Sequence, residues 1–108
     1  MKNTTENKLG IEALIQNITQ WHYDRNLVGG SSDNDQYMKL IQERGELSDN
    51  ICKGKNITDD IEDIMVVRIN IAERNGLTLG ECLWWAYEDR RYRKGTMVDG
   101  VFIKEGDA

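Results

Sequence analysis

Two short acidic pairs, Glu43-Arg44-Gly45-Glu46 and Asp60-Ile61-Glu62-Asp63, are the side chains of this sequence best suited to chemistry. Residues three apart on a helix are surface neighbours, so each pair projects two carboxylates from one face. Two such helices lying side by side and antiparallel bring Glu43, Glu46, Asp60 and Asp63 together. Carboxylates projecting from facing helices are the way helix bundles build metal sites. The donors are all oxygen, with no histidine or cysteine at matching spacing. Oxygen-only sites suit Mg²⁺, with Mn²⁺ able to substitute, rather than Zn²⁺. Mg²⁺ is commonly held by a few carboxylates plus substrate phosphates, which points to phosphate-ester or anhydride chemistry. Two blander readings stand beside this one. Glu43 and Glu46 can be a solvated helix edge, and the aspartates can serve the helix dipole, a role that fits Asp60 better than Asp63.

The elements that must position these groups read as four helices. The first runs from about Leu9 to Arg25, with Ile11, Leu14, Ile15, Ile18 and Trp21 at three- and four-residue steps. Gly29-Gly30-Ser31-Ser32 reads as a loop. The second helix runs from about Asp33 to Cys52, capped by Ser32 or Asp33, with Gly54 beyond its end. At about 100° per residue its polar residues Gln36, Lys39, Glu43, Glu46 and Asn50 form a stripe beside an apolar one of Tyr37, Leu40, Ile41, Leu47 and Ile51. The third, from about Asp59 to Asn75 with Thr58 as cap, is apolar almost all round, which predicts a buried helix. Asp60 and Asp63 share a sector with Val67, and Asn70 extends that stripe by two turns. Carboxylates near a core are costly unless protonated, paired or metal-bound. The fourth opens on a capping box, Thr78-Leu79-Gly80-Glu81, and runs to about Lys94, with Gly95 as its stop. Thr96 to Lys104 predicts a small hairpin turning at Asp99-Gly100. The expected fold is therefore all-α, a four-helix bundle-like domain with a short C-terminal β-hairpin tail, one domain over residues 1–108.

Composition narrows the function. The 108 residues carry 14 Lys and Arg against 19 Asp and Glu, a formal net charge of −5. That disfavours a nucleic-acid polymer as partner, since such binding needs a basic face. A small polyanion bridged by a metal remains compatible. No apolar run approaches the roughly 20 residues of a membrane span, so no membrane partner is expected. Met1 to Lys8 lacks the apolar core of a signal peptide. Cys52 and Cys82 lack zinc-type spacing and read as reduced thiols of a cytoplasmic protein. No proline is present, in keeping with a helical chain. There is no P-loop and no Ser/His/Asp or Cys/His constellation.

With these motifs in order, the chain resembles the MazG-like nucleotide pyrophosphohydrolases, a family marked by Glu-x-x-Glu on one helix and Glu-x-x-Asp on the next. The likeness is strongest to short single-domain members common in phage genomes. It rests on Trp21-His22-Tyr23-Asp24-Arg25-Asn26-Leu27, on Gly30-Ser31-Ser32 with Gln36, Lys39, Leu40, Glu43, Gly45, Glu46 and Leu47, and on Asp60, Asp63, Val66 and Val67. It continues through Ala86-Tyr87, Arg93-Lys94-Gly95 and Gly100-Val101-Phe102-Ile103-Lys104-Glu105, covering residues 20 to 105. Three positions depart from the pattern. Gln42 stands where a glutamate is frequent, Asp60 replaces a commoner glutamate, and Arg68 interrupts an aliphatic run.

The resemblance implies Mg²⁺-dependent hydrolysis of a nucleoside or deoxynucleoside triphosphate to the monophosphate and pyrophosphate. Glu43, Glu46, Asp60 and Asp63 would be the metal and catalytic carboxylates, in a cytoplasmic protein, or in the host cytoplasm for a phage-encoded one. Trp21 becomes the aromatic for stacking on a base, with a core role on the first helix as its alternative. Arg90, Arg91, Arg93 and Lys94 suit the dipole at a helix end; Arg93 and Lys94, with Lys39, can instead clamp phosphate. Asn70 and Lys39 are donors able to reach Asp63 or substrate. His22 reads as either a substrate contact or a surface or structural residue. A domain this small, with adjacent Trp84 and Trp85 and an apolar tail, predicts a homodimer or homotetramer. The alternatives are a non-catalytic helical oligomer that binds nucleotide or a protein partner, and a plain helical interaction protein.

Overall fold

The computed structural model describes residues 9–106; the readings made on Met1 to Lys8 lie outside them. Four helices, α1 (Ile11–Asp24), α2 (Asp33–Cys52), α3 (Thr58–Arg74) and α4 (Leu79–Arg90), precede two strands, β1 (Gly95–Val98) and β2 (Val101–Lys104). The arrangement is helical and bundle-like, with an antiparallel hairpin at the C-terminal side. No helix among the described residues is long and apolar enough to cross a membrane.

Local chemistry sets the helix starts. Ser32 caps α2 by accepting the Asp35 amide at 3.1 Å, while the Asp35 carboxylate accepts the Ser32 amide at 3.2 Å. Thr78 and Glu81 make the same reciprocal box at α4. Each box satisfies two amides that a helix start leaves without partners. At α3 the expected cap is displaced. Thr58 is already helical, the cap position falls on Ile57, and the Thr58 amide donates to the Asn56 side-chain oxygen at 2.8 Å.

The end of α4 also differs from expectation. The helix stops at Arg90 rather than Lys94, and the Arg93 amide turns back to the Arg90 carbonyl. Gly95 is not a helix stop but the first residue of β1, paired with Lys104. A Cβ at Gly95 would meet the Ile103 carbonyl oxygen at 2.2 Å and the Phe102 ring at 2.5 Å. The hairpin itself forms as expected. Asp99 and Gly100 both adopt positive φ, 49° and 81°, the two-residue turn whose twist matches paired strands.

α2 and α3 pack antiparallel: Asn50 meets Asp60 at one end and Asp33 meets Arg74 at the other. The face of α2 turned toward α3 is the seam Gln36, Leu40, Glu43, Leu47, Asn50, all buried or half-buried. The apolar stripe does not face inward as a unit. Tyr37, Ile41 and Ile51 are exposed. Nor is α3 buried all round, since Ile61 and Met65 are exposed. The core is small: Ile15, Val67, Ile69 and Ala72 are its buried apolar residues, with His22, Glu43, Asp60 and Asn70 buried among them.

Among the described residues, the backbones of the hairpin strands lie beside each other and beside no helix. The Cα radius of gyration is 16.6 Å, against about 13 Å for a compact chain of this length.

Candidate metal centre

The α2–α3 pairing places one carboxylate oxygen from each of Glu43, Glu46 and Asp63 within 4.8 Å of the others. Glu43 is 4% exposed, and its Oε2 is buried with no hydrogen-bond partner. Its Oε1 accepts from Lys39 Nζ at 3.1 Å. Glu46 and Asp63 are exposed. The Asp63 carboxyl is pushed above the ordinary aspartate range by loss of water, then by Glu43 and Asp59, with Lys39 pulling the other way and Asp60 adding to the rise. A buried carboxylate oxygen without a donor is costly unless a proton or cation meets it. These three residues therefore fit a hard cation bound through oxygen alone.

Asp60 is not in this group. It is buried, and the Asn50 amide nitrogen donates to both its oxygens, at 3.1 and 3.0 Å. It occupies the turn of α3 before Asp63 and lies at the Asn50 end of the seam.

The residues read as substrate contacts divide. Trp21 stands beside the carboxylates: with Ile18, Val66 and Asp63 it lines an open pocket of about 320 Å³. Trp21 is 42% exposed, and the Arg25 guanidinium covers its ring at 4.3 Å from the centroid. Lys39 is at the site through Glu43. Asn70 is not available to a ligand. It is fully buried, donating to His22 Nδ1 at 3.2 Å and to the Leu27 carbonyl at 3.0 Å. Arg93 and Lys94 lie at the root of the hairpin, where the Lys94 carbonyl accepts the Glu105 amide.

No family model matches the chain, and no solved structure matches it. It is similar to a protein of Haemophilus phage HP1 (strain HP1c1) described as an uncharacterized 18.2 kDa protein in the rep-hol intergenic region, with 43% identity over 67 residues. The match takes in 60% of this chain and 41% of that protein, so the chain spans about two fifths of its relative's length.

Two residues hold the framework behind the site: His22, whose structural reading applies, and Arg74, to which the sequence analysis gave no role. His22 is buried. Its Nε2 lies 3.0 Å from the Val66 carbonyl, so this nitrogen carries the proton and donates, while Nδ1 accepts from Asn70. Arg74 donates to the carbonyls of Leu27, Val28 and Ser31 and pairs with Asp33 at 2.9 Å. Together these bonds tie the α1–α2 loop to α3. Both contacts join residues more than forty positions apart, and no local pattern announces them.

Protonation of His22 would put a second N–H against the Asn70 amide donor. Burial accordingly lowers its pKa, outweighing the hydrogen bond to Val66, which raises it. A depressed folded-state pKa contributes stability above the unfolded value of about 6.5 and loses it as pH falls through the folded one. The melting temperature should therefore fall more steeply as pH drops below about 6.5 for the parent than for His22→Gln. Parallel slopes for the two proteins would show that His22 does not titrate on unfolding.

Proposed function

We propose that this chain is a Mg²⁺-dependent nucleoside triphosphate pyrophosphohydrolase that releases the monophosphate and pyrophosphate. The observation that carries the reading is the trio Glu43, Glu46 and Asp63, of which Glu43 bears a buried oxygen without a partner. The resemblance of the Glu-x-x-Glu and Asp-x-x-Asp motifs to the MazG-like family supports the choice of reaction. Glu43, Glu46 and Asp63 would hold a Mg²⁺ ion, which would supply charge screening on the triphosphate and acidify a water.

The chain's own residues supply the rest. Glu43, fixed by burial and by Lys39, is the rigid member of the trio; Glu46 and Asp63 are exposed and free to adjust. Lys39 stands at the edge of the trio, where its ammonium can shift from Glu43 to a phosphate oxygen. Trp21 is the aromatic that lines the adjoining pocket and would stack on the base. Asp60, held by Asn50, keeps the start of α3 in register with the end of α2. Positioning and electrostatic stabilisation, without a covalent intermediate, are sufficient for in-line anhydride hydrolysis.

A panel of dNTPs and NTPs incubated with Mg²⁺ should yield monophosphate and pyrophosphate in equal amounts. Diphosphate with orthophosphate as the main products would refute the cleavage position. The exposed apolar surface favours, as a second reading, an oligomer that only binds nucleotide; product beyond one equivalent per chain excludes it.

A further inference from the structure

An aromatic ring orders a ligand well only when the ring itself is held in place. Trp21 is 42% exposed, so packing alone does not lock it. Its backbone is fixed. The next residue, His22, is buried and bonded to the Val66 carbonyl of α3, in the turn that follows Asp63. The backbone of Trp21 is thereby set relative to the carboxylate trio. What remains free is rotation of the indole about its own side-chain bonds.

Two groups meet that ring. The His22 imidazole stands edge-on to it, with centroids 5.3 Å apart. The Arg25 guanidinium lies over it, and its Nη1 also donates to the Trp21 carbonyl at 3.2 Å. Arg25 therefore grips both the backbone and the ring of one residue. Its own backbone is set by the end of α1. The Arg25 amide donates to the His22 carbonyl, and the turn beyond is held through the Leu27 carbonyl by Asn70 and Arg74. A planar cation over an indole is a stacking contact as well as a charge contact, which an ammonium does not reproduce.

Arg25 stands apart from the carboxylates. Lys39 is the cation that acts on the Asp63 carboxyl; Arg25 does not figure among the charges that do. Nor does Arg25 line the pocket that Trp21 shares with Ile18, Asp63 and Val66. A cation at the C-terminal end of a helix suits its dipole, but that role requires no contact with the ring.

We propose that Arg25 is the positioning residue of the base subsite: it covers one face of the Trp21 indole and holds the other for the base of a nucleoside triphosphate. This role rests on the function proposed above. A ring already held loses little rotamer freedom when the base arrives.

The test is equilibrium binding to the full chain with Mg²⁺. One ligand is the α,β-methylene analogue of dATP, which resists cleavage at the α-phosphorus. The other is inorganic tripolyphosphate, which has no base. Trp21→Ala should weaken binding of the analogue roughly tenfold or more, the scale of one base–aromatic stack. Arg25→Ala should weaken it roughly three- to fivefold, and Arg25→Lys nearly as much. Tripolyphosphate should bind all four proteins equally. In the Trp21→Ala background, Arg25→Ala should cause no further loss. Arg25 is exposed, so circular dichroism should be unchanged in its variants. Equal losses on both ligands, no loss on the analogue, or an undiminished loss in the Trp21→Ala background would each overturn the positioning role and leave the proposed activity standing. A parent protein that binds neither ligand would reject the activity, and the role with it.

Discussion

Asp63→Asn is expected to lose roughly 10²-fold or more in turnover, the scale of a removed electrostatic catalytic contact. Without added metal it should melt at the parent temperature or slightly above. Asp63 faces Glu43 and Glu46 within 4.8 Å, and its carboxyl is raised by loss of water and by Glu43. A raised folded-state pKa contributes stability below the unfolded value and loses it as pH rises through the folded one, so at neutral pH the ionised group opposes folding. The asparagine removes the charge and keeps the shape. Mg²⁺ should then raise the melting temperature of the parent more than that of the variant, since a ligand that binds only the folded state stabilises by its occupancy. A structural aspartate predicts the reverse: lower stability without metal, an equal response to Mg²⁺, and turnover reduced only with the folded fraction. Melting curves with and without Mg²⁺, beside an activity assay, decide between them, and the second pattern would remove Asp63 from the site.

Arg74→Ala should be the most damaging single truncation for stability. The guanidinium is 13% exposed and holds three loop carbonyls, those of Leu27, Val28 and Ser31, besides Asp33. Deleting it removes one donor from each of these carbonyls, although Leu27 keeps Asn70, and breaks the pair with Asp33, with an expected cost of roughly 3 kcal/mol. For a domain of this size that lowers the melting temperature by roughly 10–20 °C. Arg74→Lys keeps the charge but not the planar fork, and should recover less than half of the loss. Thermal denaturation of the three proteins checks this; a shift of only a few degrees for alanine would mean that the loop holds itself.

Much of the framework was legible in the sequence for reasons that are local. The cap at Ser32, the box at Thr78 and the Asp99-Gly100 turn are short-range hydrogen-bond and φ requirements, and each formed where its residues stand. The end of α4 was misplaced because Arg91, Tyr92, Arg93 and Lys94 are all compatible with a helix. What ends it is the hairpin, in which Gly95 must let the Phe102 ring and the Ile103 carbonyl approach. The facing of α2 was legible only in part. A helical wheel separates polar from apolar residues, but it cannot tell that Glu43 and Asn50 turn inward while Tyr37 and Ile41 stay in water. Asn70 looked like a donor at the edge of the acidic stripe; its partner His22 lies 48 residues away and gave no sign of the pairing. Asp60 shared the sector of Asp63 on the wheel, yet one turn along the axis was enough to give it to Asn50.

The polar seam of α2 has an evolutionary consequence. Glu43 occupies a buried position between helices where leucine or methionine would leave no unpartnered oxygen. Replacing buried charged groups by apolar ones of similar volume is often neutral or stabilising. A mutagenesis campaign that screens this chain for heat resistance alone should therefore enrich Glu43→Leu or Glu43→Met early, and the hits should be inert toward metal. Retention of the glutamate in a lineage is then a record of selection for something other than folding, and the residue serves as a marker that separates working descendants from stable relics.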